Sequence, residues 1–339
     1  MSERINRQWR LAARPVGMVT ESDFEYHEAP APEPGDGDCL LRTLYVSVDP
    51  AQRGWMNENP GYMPPIPLGT VMSGGTVSQV VESRDPARTV GDLVTGFFGW
   101  QDYALGSQGF SPPQPITPEH PLPRYLGVLG GTGLTAYVGL LDVGQAKAGQ
   151  TVVVSGAAGA TGSVAAQVAR IIGCRVIGIA GGPEKCGWLT GELGLDAAID
   201  YKGEDVAARL AELCPDGVDV YFDNVGGSIL EALIGAMAQH GRIACCGMIA
   251  AYNDTTPSPG PRNLFLLIAR RITMRGFLVM DHAARFAEAR RDLSGWLRDG
   301  TLVAREDVQE GFENIPRTFL RLFTGQNTGK QVLKLADPA

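Results

Sequence analysis

The sequence predicts an α/β protein: a doubly wound parallel sheet fills the middle of the chain, and a β-rich region before it is rejoined by the last strand. Three observations carry the prediction. A strand, a glycine turn and a helix start follow in immediate succession, strands and helices alternate after them, and the chain before about residue 120 is punctuated by Pro and Gly with almost no helical periodicity.

The organising stretch runs from Thr151 to Ile172. Thr151-Val152-Val153-Val154 is rich in β-branching and reads as a buried strand. Gly156, Gly159 and Gly162 follow, spaced three apart, and Ser163 to Ile172 is helical in pattern. Glycines in such a turn let the chain reverse sharply, let a pyrophosphate reach the N–H groups of the helix N-terminus, and let helix and strand pack closely. The spacing G-x-x-G-x-x-G departs from G-x-G-x-x-G, so a plain Gly-rich turn stands as the alternative on this pattern alone.

The next strand bears on that choice. About 20 residues beyond the turn, where an NAD-binding fold places an acid on the ribose, Arg175 to Ile179 ends in Ala180-Gly181-Gly182. No acid stands there. Lys185 follows on the first turn of a helix from Pro183 to Leu193, and Tyr201 closes a third strand, Ala197 to Asp200. A small uncharged strand end beside a cation suits a 2′-phosphate, so NADP(H) is expected rather than NAD(H). A solvated helix charge is the other use for Lys185.

At 339 residues the chain is long enough for two domains, and 44% hydrophobic with 19% charged residues describes a globular protein. No apolar run reaches the ~18 residues of a membrane span. Met1-Ser2-Glu3-Arg4-Ile5-Asn6-Arg7 lacks the apolar core of a signal peptide, and a cytoplasmic location is expected. A formal charge of −8 argues against nucleic acid as the partner. The cysteines at 39, 174, 186, 214, 245 and 246 form no C-x-x-C and no ligand cluster, and read as reduced, mostly buried thiols.

In order, Gln8 to Ala13, Cys39 to Val48, Gly69 to Val81 and Asp92 to Phe98 are extended segments between clusters such as Ala29-Pro30-Ala31-Pro32. From about Pro123 the texture changes. Gly131 to Leu141 reads as a helix leading to the glycine turn, and after it strands at 175–179, 197–200, 217–223 and 241–247 alternate with helices at 184–193, 204–213 and 226–238. That alternation builds a parallel sheet with its ligand at the carboxyl ends of the strands. A helix from His282 to Arg298 leads back, and Lys330 to Leu335 is the strand that rejoins the β-rich part. The expected divisions are 1–122, 123–300 and 301–339, the first and last forming one discontinuous domain.

Six segments together resemble a known family: Ser47-Val48-Asp49-Pro50-Ala51-Gln52-Arg53-Gly54, Gly133-Leu134-Thr135-Ala136-Tyr137, Val154 to Gly162, Gly178 to Cys186, Phe222-Asp223-Asn224-Val225-Gly226-Gly227, and Asn327-Thr328-Gly329-Lys330. The chain resembles the medium-chain dehydrogenase/reductase superfamily. Within it the likeness is to the zinc-free NADPH-dependent double-bond reductases, which include prostaglandin reductases, leukotriene B4 12-hydroxydehydrogenase and curcumin reductase-like proteins. The resemblance implies a GroES-like domain plus a Rossmann domain, with NADP(H) in the cleft and a homodimer as the usual assembly. Zinc-dependent relatives carry Gly-His-Glu after the second extended segment and a Cys near Ser47 to Arg53, as a catalytic metal requires. Here Leu68-Gly69-Thr70-Val71 stands in the first place, His27, His120, His240 and His282 are scattered, and no metal is expected.

With no metal ligand set, reduction of an activated C=C bond is the easier chemistry. Hydride adds to the β-carbon of an α,β-unsaturated ketone or aldehyde, and hydrogen-bond donors stabilise the enolate. Tyr252 is the first candidate donor, since it follows a strand at the carboxyl edge of the sheet; a loop aromatic shielding the cofactor is its other reading. By resemblance Tyr62 lies near the substrate, though it could simply pack on its Pro-rich loop. Arg53 would steer a polar substrate end or tie its own loop to Asp49. Gly159, Ala160 and Thr161 are the candidates for the pyrophosphate, Lys185 and Tyr201 for the 2′-phosphate, and Gly181 is a further cofactor-binding candidate. Asn224 should face the nicotinamide ribose, or else make an Asx-type turn, and Cys246 and Gly247 should approach the cofactor by backbone. In relatives the segment matching Phe277-Leu278-Val279 holds the carboxamide and the residue matching Asn327 closes the far side.

One departure stands out. Many prostaglandin-type relatives read Asp-Pro-Tyr-Met-Arg-Gly where this chain has Asp49-Pro50-Ala51-Gln52-Arg53-Gly54, and Trp55 follows four positions after the missing aromatic. That argues against a prostaglandin- or leukotriene-shaped pocket. Quinone reduction and non-catalytic NADPH binding are the competing functions.

Overall fold

Alternating apolar residues in the N-terminal region make antiparallel strands, and the structure, a computed structural model, describes residues 4–257 and 259–339. β1 (Ile5–Leu11) pairs with β2 (Phe24–Pro30) in a sheet of its own. β3 (Cys39–Ser47), β4 (Thr76–Ser83), β5 (Leu93–Gly96), β6 (Tyr103–Leu105) and β7 (Gln114–Pro115) belong to a second sheet, with β6 on the flank of β3. β4 starts later than the expected Gly69: Gly74 interrupts the run, and its backbone passes so close to the Trp100 indole that a Cβ there would lie 2.8 Å from Nε1. β2 was hidden by the Pro cluster. A proline at the end of a strand costs no ladder bond, so Pro30 closes β2 without breaking it. α1 (Ala51–Trp55) is the short helix between β3 and β4.

The middle of the chain forms the alternating unit. α2 (Gly131–Val138) runs into a π-helical turn, Gly139–Val143, before β8 (Thr151–Ser155). Then follow α3 (Ala160–Ile171), β9 (Arg175–Ala180), α4 (Pro183–Gly191), β10 (Ala197–Asp200), α5 (Val206–Leu213), β11 (Val218–Asp223), α6 (Gly227–Ala236), β12 (Met237–Cys245), α7 (Phe265–Ala269), β13 (Thr273–Gly276) and α8 (Phe286–Arg298). The six strands are parallel in the order β10-β9-β8-β11-β12-β13, which is the 3-2-1-4-5-6 order of a Rossmann sheet. Val153, Ile177, Ile199, Tyr221 and Ile243, one from each of the five inner and left-hand strands, are buried in its core.

Two boundaries differ from the sequence pattern for local reasons. β12 begins at Met237 rather than Gly241 because the register against β11 shifts between Val218 and Val220, and His240 takes φ +61 where the chain bulges. β13 has no apolar alternation to announce it: every residue from Thr273 to Gly276 is exposed.

β14 (Glu306–Glu310), α9 (Ile315–Thr324) and β15 (Lys330–Lys334) close the chain, β15 pairing antiparallel with β3. α9 was not anticipated, although Pro316 at its start and Gly325 at φ +67 after its end are legible stop and start signals. Its Ile315, Phe319 and Leu322 pack with Leu11, Trp100 and Phe312 in the core of the β-rich part. The chain thus divides into two compact units: residues up to Leu126 with Glu306–Asn327 and Gln331–Ala339, and Gly127–Arg305 with Thr328–Lys330.

Candidate functional site

The glycine turn after β8 is a phosphate cradle in its geometry. Gly156 has φ +58, Gly159 caps α3, and a Cβ on Gly162 would lie 2.3 Å from the Gly156 carbonyl oxygen, so only hydrogen fits between helix and turn. The first N–H groups of α3, at Ala160, Thr161 and Gly162, have no acceptor within the helix and carry the positive end of its dipole. The segment after Asn327 lies along this turn: the Gly329 N–H donates to the Ala158 carbonyl at 2.8 Å, and Lys330 N–H to the Arg305 carbonyl at 2.9 Å. Asn327 precedes that contact by two residues.

At the tip of β9 the backbone of Gly181 is covered by two side chains. A Cβ there would come within 2.9 Å of the Tyr201 ring and 3.0 Å of Lys202 Cε. Tyr201 is exposed, and Lys185 is half-buried on the first turn of α4. Asp200 stands nearby, yet its carboxylate accepts the N–H of Gly182 at 2.7 Å and of Lys202 at 3.0 Å. Those bonds hold it below the usual carboxylate range, Gly182 contributing most. The Asp200 carboxylate is thereby turned onto backbone amides. Lys202 is a residue the sequence reading missed; it follows Tyr201 directly, and the strand end at Asp200 was the signal.

Where β8 and β11 end side by side, Asp223 organises the loops. It is 1% exposed, and its Oδ1 accepts from the Tyr221 hydroxyl at 2.7 Å, the Ser155 hydroxyl at 3.2 Å, and the N–H groups of Val225 and Gly226 at 3.0 and 2.9 Å. Burial, and after it the carboxylate, pushes the Tyr221 phenol well up. Asn224 donates Nδ2–H to the Ser155 carbonyl at 2.7 Å and its backbone N–H to Ser155 Oγ at 3.0 Å, which leaves its Oδ1 as the face offered outward. Cys246 and Gly247 both donate their N–H to the Asp223 carbonyl, at 2.8 and 3.0 Å, so a bound molecule would meet their carbonyls and Cα atoms rather than their amides. Tyr252 follows the 3₁₀ turn Ile249–Ala251, its phenolic oxygen 3.3 Å from the Met248 N–H and close over Gly247.

The segment Phe277-Leu278-Val279 is anchored by its first residue. The Phe277 ring fills the notch at Gly139, where a Cβ would lie 2.3 Å from its Cζ, and meets Phe222 edge-on at 6.4 Å. Leu278 is exposed and Val279 opens a 3₁₀ turn. His282 on that turn contacts Asp142 at 3.4 Å, and His120 is buried.

The β-rich unit holds the other two residues. Arg53 is 3% exposed and donates to Asn57 Oδ1 at 2.7 Å and to the carbonyls of Pro15 and Gly17 at 3.1 and 3.0 Å, a tie between α1 and the loop after β1. Burial lowers its pKa. Tyr62 is 52% exposed, and its hydroxyl receives the Trp55 indole N–H at 3.0 Å.

A sequence-family model described as the N-terminal domain of oxidoreductase matches residues 7–111, and one described as zinc-binding dehydrogenase matches residues 160–294. Among the described residues no group of three or more His, Cys, Asp or Glu side chains is placed to hold a metal ion. The NADPH-dependent curcumin reductase of Escherichia coli (strain K12) is 43% identical over 336 residues, covering 98% of this chain and 97% of that protein. The NADP(+)-dependent 2-alkenal reductase of Nicotiana tabacum is 40% identical over 347 residues, with 99% of each covered. Among solved structures, CurA from Vibrio vulnificus in complex with NADPH is similar with a TM-score of 0.93 at 41% identity, covering 98% of this chain and 100% of that one.

The thiols beside Asp223 give a pH test of this geometry. Burial, with the carboxylate second, pushes Cys245 up to about 11 and Cys246 up to about 12. A raised thiol pKa keeps the nucleophilic thiolate scarce at neutral pH: about one part in a thousand for Cys245 at pH 8, against roughly a quarter for an ordinary thiol. Iodoacetamide labelling followed by peptide mass mapping should therefore be slow at both positions at pH 8 and rise about tenfold per pH unit toward pH 10. Labelling at pH 8 as fast as in the urea-unfolded chain would contradict the buried setting.

Proposed function

Because the chain belongs to the medium-chain dehydrogenase/reductase superfamily, we propose that it is an NADPH-dependent oxidoreductase that reduces the C=C bond of α,β-unsaturated ketones and aldehydes without a metal. The observation that carries the cofactor choice is the tip of β9. Tyr201 and Lys202 stand over Gly181, Lys185 follows on the first turn of α4, and the Asp200 carboxylate is taken up by the Gly182 and Lys202 amides. The substrate class is supported by the activities of the two relatives, curcumin reductase and 2-alkenal reductase.

The residues present fit the cofactor. The N–H groups of Ala160 and Thr161 at the Gly159 turn would hold the pyrophosphate, Asn224 Oδ1 a ribose hydroxyl, and the main chain of Cys246, Gly247 and Phe277 to Val279 the nicotinamide end, with Asn327 as a further contact. NADPH supplies the hydride. The chain's own task is to receive the charge that develops on the substrate's carbonyl oxygen, and a neutral tyrosine hydroxyl does so by donating a hydrogen bond. Tyr252 and Tyr62 are the two donors proposed, with the α-carbon proton coming from a tyrosine or from water. Arg53, bonded to Asn57, Pro15 and Gly17, serves by tying α1 to the loop after β1.

The same reading extends to assembly and place. A cytoplasmic homodimer is proposed, and the surface that supports it is the open edge of the parallel sheet. There β13 is exposed, and Phe265 and Ile268 of α7 are 72% and 73% exposed. A light-scattering mass of one 36.1 kDa chain would remove that part.

The activity is tested by loss of NADPH absorbance with methyl vinyl ketone, trans-2-nonenal and a naphthoquinone in parallel. Oxidation by the enone and enal supports the proposal; turnover with the quinone alone would replace it with quinone reduction, and tight NADPH binding without turnover with a binding role. Lys185→Ala should raise the KM for NADPH about 10-fold or more, on the scale of one charge-assisted bond, and leave that for NADH nearly unchanged. Equal effects on the two would take Lys185 out of the phosphate site. Tyr252→Phe should lower kcat about 10- to 1000-fold, the scale of losing one donor or acid; a change under twofold would leave its ring as packing.

A further inference from the structure

α1 presents Ala51 where many relatives have an aromatic, and Trp55 one turn later. The indole is 7% exposed, its ring set against Phe97 at 6.3 Å between centroids, and Phe97 meets Phe110 edge-on at 6.0 Å. Its Nε1–H reaches the Tyr62 hydroxyl at 3.0 Å, across a loop whose base is closed by the Ile66 N–H on the Trp55 carbonyl at 3.1 Å. Arg14 ties the same base, donating to the carbonyls of Met56 at 2.6 Å and Ile66 at 3.3 Å. Pro60, Pro64 and Pro65 stiffen the loop between. Tyr62 is therefore held from below while its ring stands half in solvent.

The direction of that hydrogen bond decides what Tyr62 can do. An indole N–H only donates, so the phenolic oxygen must accept from it. The phenol has one proton of its own, and it cannot point back along a bond already filled by the indole hydrogen. It is turned to the exposed side. We propose that Trp55 is a positioning residue that fixes Tyr62 as a hydrogen-bond donor to the carbonyl oxygen of the substrate. The inference rests on the reading that the substrate is a conjugated carbonyl compound, whose oxygen can accept and never donate. A lone tyrosine hydroxyl rotates and donates only part of the time; the indole removes that freedom and polarises the O–H, which strengthens its outward bond. The tilted contact with the Phe97 ring packs the indole in place.

The test is a double-mutant cycle in the full-length protein with NADPH and an enone: wild type, Trp55→Phe, Tyr62→Phe and both together. Trp55→Phe keeps a ring for Phe97 and deletes the N–H. It should lower kcat about 3- to 30-fold, a fraction of the loss from removing an oxyanion donor outright, with the KM for NADPH unchanged. Tyr62→Phe should lose at least as much, and the double variant should match Tyr62→Phe within twofold, since the indole then has no hydroxyl to orient. Losses that multiply, Trp55→Phe indistinguishable from wild type, or an unimpaired Tyr62→Phe each overturn the proposal.

A second readout separates this failure from failure of the enone reading. Binding of the saturated ketone 4-phenyl-2-butanone to the NADP+ complex, measured by calorimetry, needs no turnover. The same non-multiplying pattern in its affinities upholds the donor role even where no enone is reduced. Equal affinities in all four proteins, or no binding to any, overturn it.

Discussion

A single buried carboxylate holds the carboxyl edge of the parallel sheet together. Asp223 stands at the point where the strand order reverses, β8 running outward to one side and β11 to the other. Its Oδ1 takes bonds from both strands and from the loop after β11, while its carbonyl takes those of Cys246 and Gly247 after β12. Three strand ends are thereby referred to one residue. Removing its carboxylate would leave the Ser155 hydroxyl and the Val225 and Gly226 amides without this acceptor, each a loss of about 1–3 kcal/mol where the group is buried. The consequence is a rim whose outward groups are what remains once these inward bonds are made: carbonyls, Cα atoms and the Asn224 oxygen.

The same division of labour recurs at the end of the second strand of the parallel unit. At the tip of β9, Asp200 is bonded to Gly182 and Lys202 amides and so fixes the loop, and Tyr201 and Lys202 are exposed. An acid at the end of the second strand would select a ribose hydroxyl; an acid at the end of the third, aimed at the backbone, shapes the loop without claiming the ligand. Charge at a strand end thus has a different meaning according to whether its oxygens are already taken.

What the sequence made legible follows from this. Strongly periodic elements, β8 to β11 and the helices between them, showed themselves because burial on both faces leaves near-continuous aliphatic runs. β13 did not, because an exposed edge strand needs no apolar alternation, and β12 was displaced by a bulge that no single residue announces. The glycine turn and the acid-free tip of β9 could be read from spacing, since both depend on residues adjacent in the chain. Asp223 as an organiser, Lys202 over Gly181, and Arg53 bonded to Pro15 and Gly17 could not, because each depends on which groups a side chain meets after folding. Arg53 shows the limit best: a conspicuous cation in a family motif looks available in sequence and is in fact committed to carbonyls from another loop.

The altered α1 motif is coherent when its three changes are taken together. Gln52 is fully buried, yet its Oε1 accepts the Asp49 N–H at 2.8 Å and its Nε2 donates to the Ser73 carbonyl at 2.8 Å, so a polar side chain at this position costs no unpaired group. Those bonds fix the start of the helix from inside. Residues four apart share a helix face, so Ala51 and Trp55 lie on one side of α1, about 6 Å apart along its axis. The aromatic ring is therefore moved by one turn and buried there, and it brings a donor, since an indole carries an N–H that a phenylalanine does not. A tyrosine at 51 would bring its own hydroxyl; a tryptophan at 55 lends its hydrogen to a hydroxyl on a neighbouring loop. The two arrangements place an O–H at the surface by different routes, and the second couples the position of that O–H to the Pro-rich loop that carries Tyr62.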